Sequence, residues 1–344
     1  MLLFLYACTP PKDVPIDTAD ADADTDSDTD TDADTDVDID CEDGVHYFPD
    51  GAVWGSCVAG DTPDPSSDAV IGWLDSQGWG LGRFQVDFSI EVLDSYQEED
   101  LRSFTPTGDF YSPDCDAVDV PVPLGGALEG EPGYACEGDG DCHLIVRYAP
   151  TNDLYEMWRA DIREPNFRGG CLAVWDLDRV YGPDGRGDQC TSADAAGYPI
   201  APLLFSADEV EAGEIAHAIR FILPNPSIRA GEFVHPATHA TGAASGPADA
   251  PPYGARLRLR PDFDLDALPS DGARVVAVAL QKYGMFLADG GNVALTAQSD
   301  RFTAAKWDGL LDPHDLELIQ PSDFELMPLG DPIPLTYDCV RVAD

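Results

Sequence analysis

An alternating run of aspartates near the start of the chain decides which part of it can fold. From Asp17 to Asp40, 12 residues are Asp, and most are separated by a single Thr, Ala or Ser. Such a segment has almost no apolar surface and repels itself, so it cannot offset the entropy cost of ordering. We therefore predict an extended tether over residues 9–42 and one globular domain over residues 43–344. Calcium loops also alternate Asp, but the run lacks their glycine and closing glutamate, which favours the tether.

The charge balance excludes an ordinary nucleic-acid-binding function. The chain has 344 residues, with 65 Asp or Glu against 19 Lys or Arg, and a formal net charge of −46. Proteins that bind nucleic acids neutralise phosphates with Lys and Arg, of which this chain has few. Because 44% of its residues are hydrophobic, the region after the tether can nevertheless bury a core.

The first residues resemble the signal of bacterial lipoproteins. The segment from Leu5 to Cys8, LYAC, is similar to a lipobox, in which cleavage precedes a cysteine whose sulfur then carries a diacylglycerol. The apolar stretch is shorter than the usual signal core of about 7–15 residues, and no positive segment precedes it. The resemblance implies that residues 1–8 are a signal remnant, that Cys8 is lipidated, and that the protein is an outer-membrane lipoprotein facing the periplasm or the cell exterior. Any membrane link is then through lipid.

The remaining cysteines predict disulfides. An even number of cysteines in an exported chain is typical of a disulfide framework. A zinc site would need close Cys-x-x-Cys pairs, and the sequence contains none. We expect Cys136 to pair with Cys142 across a tight EGDGD turn, and Cys171 to pair with Cys190. The disulfide candidates are Cys41, Cys57, Cys115, Cys136, Cys142, Cys171, Cys190 and Cys339.

Hydrophobic patterning indicates a mainly β domain. Apolar and polar residues alternate on both sides of a PTND turn between His143 and Ile162, which predicts a hairpin, and CLAVWDL, HAIRFIL, GARLRLR and MFLAD predict further strands. Serine caps predict short helices over residues 192–197 and 206–215 and a longer helix over residues 271–283. We expect a jelly-roll-like β-sandwich with short helical insertions, and an α+β domain is the alternative.

Carboxylates around the second short helix are the first candidates for chemistry. Glu209 and Glu214 lie five residues apart, and Gly213 between them is expected to end the helix, so that both side chains can face one cleft. Glycoside hydrolases use two such carboxylates, one as the acid and the other as the base or nucleophile. Asp194, Asp208 and Glu211 compete for these roles, and solvated surface charge is the alternative interpretation.

Three histidines fall close together in the sequence. His235 and His239 have the i, i+4 spacing of a helical metal pair, and His217 precedes them. Pro236 favours a loop, however, and no glutamate lies between the pair as in the HExxH pattern. A three-histidine zinc site is therefore less favoured than substrate hydrogen bonds or structural contacts, and we expect neither a metal nor another cofactor.

Arg256, Arg258 and Arg260 alternate with leucines, so a strand would place three guanidinium groups on one face. Such a row can bind a carboxylate or sulfate group of a ligand. Pairing with the abundant Asp and Glu of the same chain is the favoured interpretation.

Several motifs, in a fixed order, resemble a large family of secreted bacterial and fungal proteins of unassigned activity. They are YFPDGAVW, TSADAAG, DEVEAGEIAHAIRF, HPATH, PPYGARLRLR, KYGMFLADGG and KWDGLLDPHDLELIQPSDFEL, and the resemblance that they mark extends over most of residues 47–326. Members of this family often occur beside carbohydrate-binding or fibronectin-type modules. ADGG stands here where the family commonly has ADNG. The resemblance implies site residues at Ser192, Asp194, Glu209, Glu214, His217, His235, His239, Arg256, Tyr283, Asp289, Trp307 and Asp308.

These features lead to the hypothesis of a monomeric, surface-anchored protein that acts on a polysaccharide by a carboxylate acid/base mechanism, like a glycoside hydrolase. A lipoprotein that binds a glycan or a partner protein without catalysis is the alternative, and a polysaccharide lyase is the third. The expected catalytic residues are Asp194, Glu209, Glu214 and His217. The expected substrate-binding residues are His235, His239, Arg256, Tyr283, Asp289, Trp307 and Asp308.

Overall fold

The computed structural model describes residues 42–342, except residues 45 and 139. The predicted lipidation at Cys8, the Asp-rich tether and Cys41 therefore lie outside the described residues. None of the helices in the described part of the chain is long and apolar enough to cross a membrane.

Helices are few and short in the described residues. The α-helices are α1 (Ser67–Gln77), α2 (Ala207–Ala212) and α3 (Asp271–Lys282). The 3-10 helices are Val53–Gly55, Glu98–Asp100, Ala201–Leu203, Asn225–Ser227, Leu265–Ala267 and Pro321–Asp323. Helices α2 and α3 confirm two of the sequence predictions, whereas α1 was not predicted.

Helix α2 is fixed by its own sequence at both ends. The hydroxyl of Ser206 accepts a hydrogen bond from the backbone N–H of Glu209, and the Glu209 carboxylate accepts one in return from the backbone of Ser206. Gly213 ends the helix in the left-handed region, with φ 86°, as expected. Ser270 caps α3 in the same way, through the N–H of Ala273.

The short helix predicted over residues 192–197 is wrong, because this segment forms a turn. The Ser192 hydroxyl accepts a hydrogen bond from the Asp194 N–H at 3.0 Å, and the Gly197 N–H donates to the Asp194 carbonyl at 3.0 Å. A serine followed by an aspartate can cap a helix or close a turn. Gly197 has φ 80°, and a Cβ there would lie 2.1 Å from the Thr238 hydroxyl, so a distant loop helps to select the turn.

Strands dominate the described residues, which confirms the mainly β prediction. In chain order they are β1 (Val86–Ile90), β2 (Leu93–Ser95), β3 (Leu101–Arg102), β4 (Thr105–Pro106), β5 (Val120–Pro121), β6 (Leu144–Tyr148), β7 (Asp153–Met157), β8 (Asp161–Arg163), β9 (Asn166–Gly169), β10 (Leu172–Asp176), β11 (Ile219–Leu223), β12 (Glu232–Phe233), β13 (Arg256–Leu259), β14 (Met285–Gly290), β15 (Leu295–Gln298), β16 (Phe324–Leu326) and β17 (Ile333–Pro334).

Two larger sheets and several short ribbons make up the domain. The six-stranded sheet has the order β1-β15-β11-β14-β13-β16, and the four-stranded sheet has the order β10-β7-β6-β2. Strands β1 and β15 are parallel, as are β11 and β14, whereas β13 pairs antiparallel with β14 and β16. Strands β6 and β7 form the predicted hairpin, with Leu144 opposite Met157. Sheets with short helical insertions are the architecture that the sequence predicts.

The four-stranded sheet is buried on both faces. Ile145, Leu154 and Trp175 belong to the larger core, together with residues of the six-stranded sheet. Leu144 and Val146, on the opposite face of β6, belong to a second core. Successive residues of a strand face opposite sides, so two cores explain the continuous apolar run in β6. Each fully buried aliphatic side chain contributes about 1.5–3 kcal/mol to this packing.

Three disulfides lie wholly within the described residues. They join Cys115 with Cys171, Cys136 with Cys142, and Cys190 with Cys339. The short pair across the EGDGD turn was predicted correctly. The predicted pair of Cys171 with Cys190 is wrong, because the fold brings each of them to a cysteine much farther away along the chain. Cys57 is also disulfide-bonded. These bridges indicate an oxidising compartment.

Candidate functional site

Glu209 and Glu214, the predicted carboxylate pair, have different surroundings. One Glu209 carboxylate oxygen accepts hydrogen bonds from the Ser206 N–H at 2.9 Å and the Ser206 hydroxyl at 2.7 Å. The other lies 3.1 Å from Nε2 of His217. Glu214 follows the helix end, where its side chain is exposed and its N–H donates to the Glu209 carbonyl. The fold therefore gives Glu209 a different partner from the predicted Glu214. That partner is His217, which is also one of the predicted site residues.

A second histidine completes a small group, the His46 cluster, which consists of His46, Glu209 and His217. Nδ1 of His46 lies 3.6 Å from the same Glu209 oxygen that faces His217. The two imidazole rings stack, with centroids 4.0 Å apart and planes 11° from parallel. Nδ1 of His217 lies 2.8 Å from the Ala218 carbonyl, which fixes that ring. His46 was not among the predicted site residues, and nothing local in the sequence connects it to α2.

Burial and neighbouring charge set the protonation of this cluster. Burial, followed by the charge of His217, lowers the pKa of His46 to about 3. Burial acts upward on the pKa of Glu209, but its hydrogen bonds and its charge interactions, chiefly with His217, outweigh burial and lower that pKa to about 2. A neutral His46 therefore faces an ionised Glu209 at neutral pH.

An open cleft of about 410 Å³ adjoins the His46 cluster. Ser206, which holds Glu209, lines it, and so does Tyr47, whose ring meets the His46 ring edge-on with centroids 4.6 Å apart. An open concavity with convergent polar groups and shifted pKa values nearby is the usual form of a ligand site.

The cleft lining combines charged groups with an exposed aromatic ring. Arg147 and Asp94 form an ion pair with Nε and Oδ1 2.8 Å apart, and nearly half of each side chain is exposed. Phe302 is 44% exposed in the same cleft. Asp208 accepts a hydrogen bond from the Ala305 N–H at 2.6 Å, which ties it to the segment that carries Phe302 and Thr303. The remaining lining residues include Val92, Leu93, Pro123, Leu124, Gln298 and Thr303.

A second group of polar and ionisable side chains lies at the six-stranded sheet. This Asp194 cluster consists of Asp194, Arg220, Asp289 and Thr296. Nη2 of Arg220 lies 2.5 Å from Asp194 and 3.8 Å from Asp289, and Nη1 donates to the Thr296 hydroxyl at 2.8 Å. Arg220 is on β11, while Asp289 and Thr296 are on its neighbours β14 and β15. The Asp194 side chain is fully buried, whereas that of Asp289 is 26% exposed.

Both carboxyl groups of the Asp194 cluster hold protons more tightly than usual. Burial raises the pKa of Asp194 to about 6, although Arg220 acts against it. Burial, and then the charge of Asp194, raises the pKa of Asp289 to about 7. Oδ2 of Asp194 and Nε of Arg220 are buried with no hydrogen-bond partner among the described residues. Such atoms in a folded core mark ordered water, strain or function.

A buried pair formed by His143 and Glu129 adjoins this cluster. Nδ1 of His143 lies 2.6 Å from the Glu129 carboxylate, and Nε2 lies 3.1 Å from the carbonyl of Ala193, next to Asp194. Burial acts to lower the pKa of His143, but the charge and hydrogen bond of Glu129 outweigh it and raise the pKa to about 9. Because both ring nitrogens face acceptors, His143 is an imidazolium at neutral pH.

Arg220, His143 and Glu156 are candidates that the sequence patterns had not singled out. Each adjoins or interrupts an apolar strand, as Arg220 does in HAIRFIL. Glu156, on β7, is fully buried and accepts hydrogen bonds from the N–H groups of Ile200 and Ala201 at 2.8 Å. An ionisable side chain within a buried strand needs a partner. An ionisable residue within or beside an apolar strand was the one signal in the sequence that could have identified these three residues.

The histidines at 217, 235 and 239 do not form one site. Nε2 of His235 bonds Asp188 at 2.8 Å, and Nδ1 of His239 bonds the Ala195 carbonyl at 2.9 Å. His217 instead belongs to the His46 cluster. The three-histidine zinc site is therefore not formed in the described residues, and His235 and His239 have structural hydrogen bonds.

Other predicted binding residues mostly serve the packing of the chain. Arg256 donates to the carbonyls of Tyr283 at 2.8 Å and Ser56 at 2.6 Å. The Trp307 indole N–H donates to a backbone carbonyl, and its ring is 7% exposed. Asp308 is exposed. Two other predicted residues also bond the backbone. The Ser192 hydroxyl donates to the Tyr198 carbonyl at 2.6 Å, and the Tyr283 hydroxyl donates to the Glu42 carbonyl at 3.0 Å.

The arginine row of β13 is paired internally, as favoured from the sequence. Arg258 and Arg260 both contact Glu325 on the neighbouring strand, at 2.7 and 3.4 Å. Arg256 and Arg258 are both buried, so the row does not present three guanidinium groups to a ligand.

No protein family, curated protein or solved structure matches this chain.

Proposed function

We propose that this chain is a surface lipoprotein that binds a glycan in the cleft beside α2. The observation that carries the proposal is the cleft itself, an open volume of about 410 Å³ that combines an accessible ion pair with an accessible aromatic ring. Saccharide sites commonly combine an apolar ring that packs against the sugar with polar groups that bind its hydroxyls. Arg147 supplies several donors and Asp94 several acceptors, and sugar hydroxyls both donate and accept.

The charge of the chain narrows the class of glycan. With a formal net charge of −46, the chain repels polyanionic polymers such as uronates or sulfated glycans. A neutral or amine-bearing glycan therefore fits better.

The disulfides support an oxidising location. The lipobox-like LYAC segment and the Asp-rich run support a lipid anchor with a long tether, and the family resemblance supports a role beside carbohydrate-binding modules. An anchored, glycan-binding domain is consistent with all three features. Membership in that family and the outer-membrane location are part of this proposal.

Two cleft variants with matched controls test the proposal. Phe302→Ala removes the exposed ring, and Tyr111→Ala removes a ring with a similar exposure outside the cleft. Arg147→Gln breaks the cleft ion pair, and Arg102→Gln breaks an exposed ion pair with Glu164 elsewhere. Binding of each protein to insoluble neutral, amine-bearing and anionic polysaccharides is measured by depletion from solution.

We expect each cleft variant to lose about tenfold in affinity, equivalent to about 1.4 kcal/mol, while both controls bind like the unaltered chain. Equal losses in a cleft variant and its control would remove the cleft from the site. Absence of binding by the unaltered chain across all polymer classes would overturn the proposal.

Hydrolysis is a second candidate function, favoured by the position of Asp289. This carboxyl group is partly exposed, lies 3.8 Å from Arg220 and holds a proton near neutral pH, as a general acid must. Asp194 and Arg220 are buried, so they act as positioning residues.

Reducing-sugar release tests this second function. Asp289→Asn keeps the size of the side chain but cannot donate the proton, so we expect turnover to fall at least a hundredfold. Asp262→Asn, at an exposed aspartate outside the Asp194 cluster, is the control and should keep full turnover. New unsaturated ends, detected by ultraviolet absorbance, would indicate a lyase instead.

A further inference from the structure

We propose that the His46 cluster binds a divalent transition-metal ion, with Zn²⁺ as the expected ion. The cluster offers two imidazole nitrogens and one carboxylate oxygen, which lie within 4.8 Å of one another. Imidazole and carboxylate are common zinc ligands, and two histidines with one glutamate form a recognised catalytic set. The site is distinct from the charged and aromatic groups that carry the proposed glycan binding.

The spacing of the ligand atoms suits one ion. Zinc bonds of about 2.0–2.2 Å in a tetrahedral arrangement separate ligand atoms by roughly 3.3–3.5 Å. The Glu209 oxygen lies 3.1 Å from Nε2 of His217 and 3.6 Å from Nδ1 of His46, on either side of that value. Small side-chain movements therefore bring all three atoms to bonding distance of a common centre.

Outer hydrogen bonds already orient two of the three ligands. Nδ1 of His217 faces the Ala218 carbonyl at 2.8 Å, which directs Nε2 toward the centre. The second oxygen of Glu209 is held by the backbone and hydroxyl of Ser206. Metal-binding histidines and carboxylates characteristically have such partners, which fix the tautomer and the ring orientation.

His46 is the ligand that must move. Its ring is stacked nearly parallel on His217, so the two lone pairs do not yet converge. Nε2 of His46 is buried and has no hydrogen-bond partner among the described residues, so no hydrogen bond at that atom opposes rotation of the ring. Metal entry therefore exchanges the stacking contact for a bond to Nδ1.

Three protein ligands leave a fourth position for water. About a fifth of the Glu209 and His46 side chains is exposed, whereas His217 is fully buried, so the open position faces the accessible side of the cluster. Structural zinc sites normally use four protein ligands, whereas catalytic sites keep one position for water or substrate. The His46 cluster therefore has the ligand arrangement of a catalytic zinc site, with one position open to water or substrate.

Metal binding is tested on the full chain, without a polyhistidine tag and after removal of metals with a chelator. Equilibrium dialysis against ZnCl₂ gives affinity and stoichiometry, and CoCl₂ gives a visible spectrum that reports coordination number. The variants are His46→Ala, which removes the mobile ligand, and Glu209→Gln, which removes the charge but can still accept at the helix cap. His314→Ala, at an exposed histidine, is the control for adventitious binding.

We expect the unaltered chain and His314→Ala to bind one zinc ion that His46→Ala and Glu209→Gln bind at least tenfold more weakly. The Co²⁺ complex should show the intense visible bands of four-coordination, and both cluster variants should lose them. Circular dichroism identifies any variant that fails to fold. Zinc binding that is unchanged in folded His46→Ala, or a Co²⁺ spectrum that is the same in all four proteins, would overturn the proposal.

The Asp-rich segment also attracts cations, but the variants leave it intact, so its contribution cancels in the comparison. Zinc binding in a chain that binds no polysaccharide would refute the glycan proposal alone, and the reverse result would refute the metal proposal alone.

Discussion

The His46 cluster and the Asp194 cluster both contain carboxyl groups, but the two clusters shift the carboxyl pKa values in opposite directions. Glu209 lies at a helix start, with hydroxyl, backbone and imidazole partners, and its pKa falls to about 2. Asp289 lies within a sheet beside a second carboxyl group, and its pKa rises to about 7. Burial raises the pKa in both places, so the difference comes from the number and sign of the partners.

This difference separates the chemistry that each cluster can perform. Two imidazole nitrogens and one carboxylate oxygen within reach of one another suit a metal ion. A carboxyl group that holds its proton near neutral pH suits proton donation. Residue type and position in the fold therefore together decide which cluster can act in which way.

Removal of Arg220 should have the largest effect on stability. Arg220→Met removes the ion-pair partner of the buried Asp194, and breaking a buried pair costs about 3–5 kcal/mol. In contrast, Glu209→Gln affects a partly exposed cap and should cost about 1 kcal/mol. Urea unfolding measures both changes in the free energy of unfolding.

The double variant Arg220→Met with Asp194→Asn is the internal check on that comparison. It should recover part of the loss, because no charge is then left unpaired at Asp194. If Arg220→Met proves no more costly than Glu209→Gln, the Asp194 cluster is not the tightly coupled group described above.

Zinc binding should stabilise the folded chain through the His46 cluster and independently of the Asp194 cluster. At a free zinc concentration 100 times the dissociation constant, binding adds about 2.7 kcal/mol to the free energy of unfolding. We expect this gain in the unaltered chain and in Asp289→Asn, but not in His46→Ala. Urea titrations with and without ZnCl₂ measure it, and an equal gain in His46→Ala would place the zinc elsewhere.

Asp289 should give a smaller, pH-dependent effect. Its pKa is raised from 3.8 to about 7, so the native state binds this proton more tightly than the unfolded state does. The resulting stabilisation is complete below about pH 4 and is lost as the pH rises toward 7. Asp289→Asn should reduce this decline by up to about 1.4 kcal/mol per pH unit.

The free energy of unfolding, measured by urea at pH 4, 5, 6 and 7, tests the change in slope. Asp308→Asn, at an exposed aspartate, should leave the slope unaltered. A slope that is the same in Asp289→Asn and in the unaltered chain would show that Asp289 titrates normally.

Local sequence was sufficient where a few neighbouring residues decide the structure. The Ser206 cap, the Gly213 helix end and the hairpin of β6 and β7 were all predicted, because capping, glycine conformation and alternation act over short distances. Glu209 and His217 were also placed in one site, and they lie 3.1 Å apart. Their expected partner Glu214 instead faces solvent.

Contacts between distant segments could not be predicted from the sequence. His46 reaches α2 only through the tertiary fold, and Thr238 packs against Gly197, where a helix had been predicted. The cysteine partners of Cys171 and Cys190 depend on the same long-range packing. A pattern of residues can predict which side chains need partners, but only the fold brings those partners together.

The bridge between Cys190 and Cys339 encloses most of the six-stranded sheet in one covalent loop, because the two cysteines are 149 residues apart in the sequence. A protease that cuts this loop once cannot release a fragment. The cleaved protein remains a single molecule under oxidising conditions and separates into pieces only after reduction. In an oxidising compartment, this bridge means that a single cut in an outer loop does not detach the strands on either side of it.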